Sequence, residues 1–177
     1  MPVRRAFVVA AAVPVVLLAA GCSVARQEED GRTTRLSIST PVGGLTARTG
    51  EGTGNTGLPV YPGAQPARDQ KDGNLERANV AIGTRWFGLR VVAAEYESPD
   101  GVEPIVGFYR DALRSYGTVT ECRGNIDFNA GRPECRASGD SADLQLVAGA
   151  EKDYWMVSVT PHAGNTSFAL VSIRMGS

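Results

Sequence analysis

Residues 98–117 read Ser98-Pro99-Asp100-Gly101-Val102-Glu103-Pro104-Ile105-Val106-Gly107-Phe108-Tyr109-Arg110-Asp111-Ala112-Leu113-Arg114-Ser115-Tyr116-Gly117, and they decide the fold. Val102, Ile105, Val106, Tyr109, Leu113 and Tyr116 recur at steps of three and four, which puts them on one face of a helix. Ser98 or Asp100 can cap its start, Pro104 fits only within the first turn, and Gly117 suits the stop. Such a face must be buried, and the flanking sequence supplies a sheet to bury it against.

Upstream, Val80 and Ile82 alternate with small or polar neighbours, and Leu89 to Tyr96 is rich in Val and Ala, as strands are. Between them Trp86-Phe87-Gly88 is expected to form a turn or bulge whose aromatics cover the core edge. Downstream, period two returns at Val119, the Cys122 to Cys135 segment, Leu144–Val147, Trp155–Val159 and Phe168–Met175. Turn chemistry at Gly149–Asp153 and Pro161–Thr166 separates these strands, and short connections imply antiparallel neighbours. The expected fold is therefore α+β: a single domain, an antiparallel β-meander sheet packed on one main amphipathic helix.

That domain is expected to cover 58–177. It opens on Leu58-Pro59-Val60-Tyr61-Pro62-Gly63-Ala64, where two prolines forbid a helix interior, so an extended edge segment should pin Val60 and Tyr61. Residues 65–77 are polar and read as loop. Residues 22–57 read as a lipid anchor and a flexible linker, because TARTGEGTGNTG at 46–57 has no large hydrophobe. Leu36-Ser37-Ile38-Ser39 alternates like a strand, but its solitude favours linker.

Residues 1–21 have the layout of a signal peptide: Arg4 and Arg5 precede an apolar run from Ala6 to Ala20 broken only by Pro14. That run is shorter than the roughly 20 residues a spanning helix needs. It closes on Leu18-Ala19-Ala20-Gly21-Cys22, which resembles a bacterial lipobox, with a small residue at Ala19 where a larger aliphatic is commoner. The resemblance implies cleavage before Cys22, lipid on its thiol, and a home in the cell envelope, extracytoplasmic and attached to a membrane. Arg4-Arg5-Ala6-Phe7-Val8 also has the shape of a twin-arginine signal, and both export routes end on the same side.

The chain holds three cysteines, and lipidation of Cys22 leaves Cys122 and Cys135 free to bridge in an oxidising compartment. The alternatives are two thiols or half of a metal site. With one histidine in the chain and no CxxC pair, a zinc cluster lacks ligands.

FGLRVVAAEYESPD, FYRDAL with SYG behind it, ECRG, a second Cys, LQLVAG, and VSVTP through GNTSFALV together resemble an uncharacterised family of bacterial envelope domains, frequently lipoproteins. That family pairs a YPGA opening with an FYRxxL helix. The resemblance covers most of Leu58 to Met175 and implies a fold and a location, with no activity attached.

Without the two leader arginines, 16 basic residues face 19 acidic ones, scattered among each other, which argues against a nucleic-acid partner. No cofactor or metal is indicated. The one imidazole, His162, sits in a turn, and no GxSxG elbow opens the helix. Glu95, Glu97, Asp100 and Glu103 crowd the strand-to-helix junction, where solvated charges favouring the helix dipole are commoner than an acid–base pair. Asp140-Ser141-Ala142-Asp143 lacks the glycine and distal glutamate of a calcium loop, and Asn165-Thr166-Ser167 matches a glycosylation acceptor without consequence in a bacterial lipoprotein. No catalytic residue is therefore assigned. Two readings stand: a binding or scaffolding module that recognises an envelope protein or glycan through an open edge or the face opposite the helix, or a small-ligand carrier or enzyme with a pocket between helix and sheet. Trp86, Phe87, Tyr154 and Trp155 are the candidate partner contacts, although aromatics near strand ends usually finish the core.

Overall fold

The computed structural model describes residues 23–29, 33–50, 55–67, 77–84, 86–129, 132–139, 141–150 and 152–176. The stretch 1–21 expected to be a signal peptide, and Cys22, lie outside them. Eleven strands and one α-helix are present among the described residues: β1 (Ser23–Glu29), β2 (Thr33–Thr40), β3 (Gly43–Gly50), β4 (Gln65–Pro66), β5 (Arg77–Thr84), β6 (Gly88–Ser98), α1 (Val102–Leu113), β7 (Thr120–Asn129), β8 (Arg132–Ala137), β9 (Leu144–Ala150), β10 (Asp153–His162) and β11 (Asn165–Gly176). The strands form one open antiparallel sheet in the order β1-β2-β3-β5-β6-β11-β10-β9-β7-β8, with β4 pairing to β6 off this path.

Where a flexible linker is expected from the sequence, the structure has β1, β2 and β3 inside the sheet. The reason lies in the register. Ile38 faces Leu45, Leu45 faces Ile82 and Ile82 faces Leu89, while Leu36, Ala47, Val80 and Val91 form the parallel row. Strands β2 and β3 each carry two aliphatics among Thr, Ser, Arg and Gly, a composition that reads as tether until β5 at Arg77–Thr84 is supplied beside them.

A simple meander is also corrected. Strands β6 and β7, consecutive across the helix, are separated by β11, β10 and β9. Strand β11 returns to β6 and pairs along its whole length, from Thr166 opposite Ser98 to Gly176 opposite Gly88. Residues 65–66, read as loop, form β4, which pairs with Glu97 and Tyr96 on the edge of β6 that β5 occupies further along.

Helix α1 buries Ile105, Val106, Tyr109 and Leu113 in one cluster with Ala94, Tyr96, Leu144, Leu146, Val157, Val159, Phe168 and Leu170. Fully burying each large side chain of this kind contributes about 1.5–3 kcal/mol. The helix starts at Gly101 with no side-chain cap. Ser98 Oγ accepts the Asp100 N–H at 3.2 Å in the preceding turn, so neither predicted residue caps the helix. A 3₁₀ turn, Arg114–Tyr116, follows α1, and Gly117 at φ 137° closes it. In the opening segment Leu58 is buried and Tyr61 packs edge-on against Phe108 at 5.4 Å, but Val60 stays exposed.

Strand β7 changes partner midway, pairing with β9 over Thr120–Arg123 and with β8 from Gly124. Gly124 has φ 130°, where a side chain would be strained, and a Cβ there would lie 2.5 Å from the Arg136 carbonyl. The resulting hairpin brings Phe128 against Tyr154 at 4.9 Å, and the Cys122–Cys135 disulfide ties it down, with Cα atoms 5.3 Å apart.

Candidate functional site

The helix side of the sheet divides in two. Over β9, β10 and the inner parts of β6 and β11 it is apolar and covered by α1. Over β2, β3, β5 and the other end of β6 and β11 it is polar, because alternate positions there are Arg, Ser, Thr and Asn. One cross-strand row runs Arg35, Arg48, Asn79, Val92, Ser172; the next runs Ser37, Thr46, Ala81, Arg90, Arg174. Arg35 thus stands directly opposite Arg48, and Arg90 directly opposite Arg174.

Two adjacent depressions lie on this surface. The larger, about 210 Å³, is lined by Thr46, Arg48, Asn79, Ala81 and Arg90. The smaller, about 90 Å³, is lined by Asn55, Arg90, Val92, Ser172 and Arg174, so Arg90 belongs to both. No carboxylate lines either one among the described residues. The nearest acidic position in the register is the exposed Asp153, across from Arg174 on β10. Among the described residues Arg48, Arg90 and Arg174 form no ion pair, and the Nε of Arg48 is buried without a hydrogen-bond partner. Guanidinium forks in this setting suit the paired oxygens of carboxylate or phosphate groups.

None of the residues singled out in the sequence lines these depressions, although Trp155 continues the row that ends at Ser172. Tyr154 is buried at 1 % exposure on the opposite face, under Phe128. Trp155 stacks on Tyr116 at 4.0 Å and donates its indole N–H to the Thr56 carbonyl at 3.1 Å. Both serve the fold. Trp86 and Phe87 do not cover the core edge as expected but stand exposed on the β5–β6 turn. Glu95 accepts the Ser167 hydroxyl at 2.7 Å, Asp100 accepts the Tyr61 hydroxyl at 2.7 Å, and His162 is exposed at the end of β10 opposite Asn165. In the Ser141 loop the hydroxyl oxygen accepts the Asp143 N–H at 3.2 Å; Asp140 lies outside the described residues. The arginine face itself leaves no local signal, since its four members are scattered from 35 to 174 and converge only through the pairing register.

Compared with known proteins, the chain matches no family model, no curated protein and no solved structure. No helix among the described residues is long and apolar enough to cross a membrane.

Proposed function

We propose that this chain is a lipid-anchored envelope protein whose domain is a binding module, holding the carboxylate or phosphate groups of an envelope glycan or protein on the arginine face of β2, β3, β5, β6 and β11. The observation that carries the reading is the cluster itself: Arg48, Arg90 and Arg174 line two touching depressions that contain no described acid. Directly opposed like charges cost a sheet stability. A pair of them on one surface is most simply explained by an anion that neutralises both. The lipobox-like stretch ending at Cys22 and the resemblance to envelope lipoprotein domains support the location.

The interior between helix and sheet is filled by Ile105, Tyr109, Leu113, Leu146 and Phe168, each at 0–1 % exposure, which favours surface binding over an enclosed carrier pocket. A groove beside the end of the helix, lined by Arg110, Arg114, Gly117, Thr118, Val119 and Glu121, is less suited to an anion because Arg110 is already bound to Glu121 at 2.7 Å.

The test is calorimetric titration of the chain starting at Ser23 with poly(glycerol phosphate), with polyglucuronate and with a neutral glycan of equal length. Binding of at least one polyanion is expected. It should weaken about 10- to 100-fold in Arg90→Gln, as the loss of a charge-assisted hydrogen bond implies, and weaken further as salt screens the surface. Equal binding of the neutral glycan, or an unaffected Arg90→Gln, overturns the proposal.

A further inference from the structure

The pairing register places the first residue of β1 at a defined end of the sheet. Ser23 faces Ser39, Ser39 faces Gly44, Gly44 faces Gly83, and Gly83 faces Gly88, all in one cross-strand row. Two turns project beyond that row. One is Pro41-Val42, joining β2 to β3; the other joins β5 to β6 and carries Trp86 and Phe87.

Three large hydrophobics at these tips are exposed: Val42 at 68 %, Trp86 at 73 % and Phe87 at 45 %. Pro41, Val42, Gly43 and Trp86 line one shared depression of about 370 Å³, so the two turns form a single patch. The aromatic turn is built, not frayed. Thr84 Oγ1 accepts the N–H groups of Trp86 at 3.3 Å and Phe87 at 3.0 Å, and the Thr84 N–H donates to the Phe87 carbonyl at 2.7 Å.

We infer that this end of the sheet docks on the bilayer, with Val42, Trp86 and Phe87 entering the membrane interface beside the lipid on Cys22. The inference rests on the lipid-anchor part of the proposed function. Ser23 directly follows Cys22 in the sequence and already belongs to β1, so the attachment point is within about 4 Å of the row. From β1 to β5 is three strand spacings, roughly 14 Å. A bilayer held at Cys22 by its acyl chains therefore lies under both tips, which is why the bilayer, and not a partner protein, is the occupant. An indole and a phenyl ring on projecting turns suit the headgroup boundary, where amphipathic aromatics concentrate. Arg90 and Arg174 stand two residues further up their strands, about 7 Å from the row, so the arginine face begins just above the docked tips and stays open to its own ligand. The lipid supplies retention and the tips supply orientation.

The experiment uses the full mature chain extracted from membranes, its Cys22 lipid verified by intact mass, in vesicles of phosphatidylglycerol and phosphatidylcholine carrying shallow brominated acyl chains. The chain has two tryptophans, and Trp155 is stacked inside the domain. Brominated vesicles should quench and blue-shift one emission component, and that component should vanish in Trp86→Phe. A Val42→Ser/Phe87→Ser double variant should still float with the vesicles through its lipid while its Trp86 quenching falls several-fold. A lipidated chain that floats with its Trp86 emission unquenched overturns the docking and leaves the anchor standing. A mature chain with no lipid on Cys22 overturns both.

Discussion

Arg90 on β6 and Arg174 on β11 are directly opposed cross-strand partners on one face of the sheet, and both side chains are exposed. Opposed like charges destabilise a strand pair by about 0.2–1 kcal/mol, and Asp153, opposite Arg174 on β10, forms no ion pair with it among the described residues. Arg174→Gln should therefore raise the urea midpoint slightly at low salt, with the gain fading as salt rises, while polyanion binding weakens. A lower midpoint would show that the guanidinium supports the fold.

Beneath the opening segment, the Tyr109 hydroxyl accepts the Tyr61 N–H at 3.1 Å. Burial, the largest effect, pushes the Tyr109 phenol far above its usual range, although that hydrogen bond partly opposes it. A raised folded-state pKa adds stability that is complete below the unfolded value near 10.0 and is lost as pH climbs through and beyond it. The unfolding temperature should thus fall steeply above pH 10. Tyr109→Phe should flatten that fall and cost about 1–3 kcal/mol at neutral pH by leaving the Tyr61 N–H unpaired. A smaller slope will persist, since Asp100 raises the Tyr61 phenol through its hydrogen bond.

The bent hairpin depends on Gly124 and on the disulfide. Reducing Cys122–Cys135 should cost about 3 kcal/mol on chain-entropy reasoning and release Phe128 from Tyr154. Hydrogen exchange should then rise across β7 and β8 while β10 and β11 stay protected. Gly124→Ala should cost a comparable ~1–3 kcal/mol through its strained φ and its contact with the Arg136 carbonyl.

The two tryptophans should behave in opposite ways. Trp155→Ala removes the stack on Tyr116 and the hydrogen bond to Thr56, and should destabilise by about 3–5 kcal/mol. Trp86→Ala should stay within ~0.5 kcal/mol in solution, measured by thermal unfolding, because its side chain stands largely in solvent.

The helix was legible because its signal is local: Ile105, Val106, Tyr109 and Leu113 announce a buried face within three turns, and that face is buried. Strands β9 to β11 were legible for the same reason, being dense in Val, Leu and Phe at period two. Strands β1 to β3 were not, because Leu36, Ile38 and Leu45 are too sparse to read until Val80, Ile82 and Leu89 stand beside them. The same non-locality hid the arginine face. Trp155 and Trp86 carried identical signals as aromatics near strand ends. Only the depth of their neighbours separated the one that closes the core from the one that faces outward.

Strand β1 takes up the chain at Ser23, so a lipid on Cys22 would leave the domain no slack. A protein on a long leash samples a hemisphere and can meet ligands at many heights. This one would stand at a fixed elevation, its longest strand of 12 residues rising about 40 Å at roughly 3.3 Å per residue. Its search would be lateral, in the plane of the membrane, and it would capture only what already lies within one sheet's height of the lipid surface.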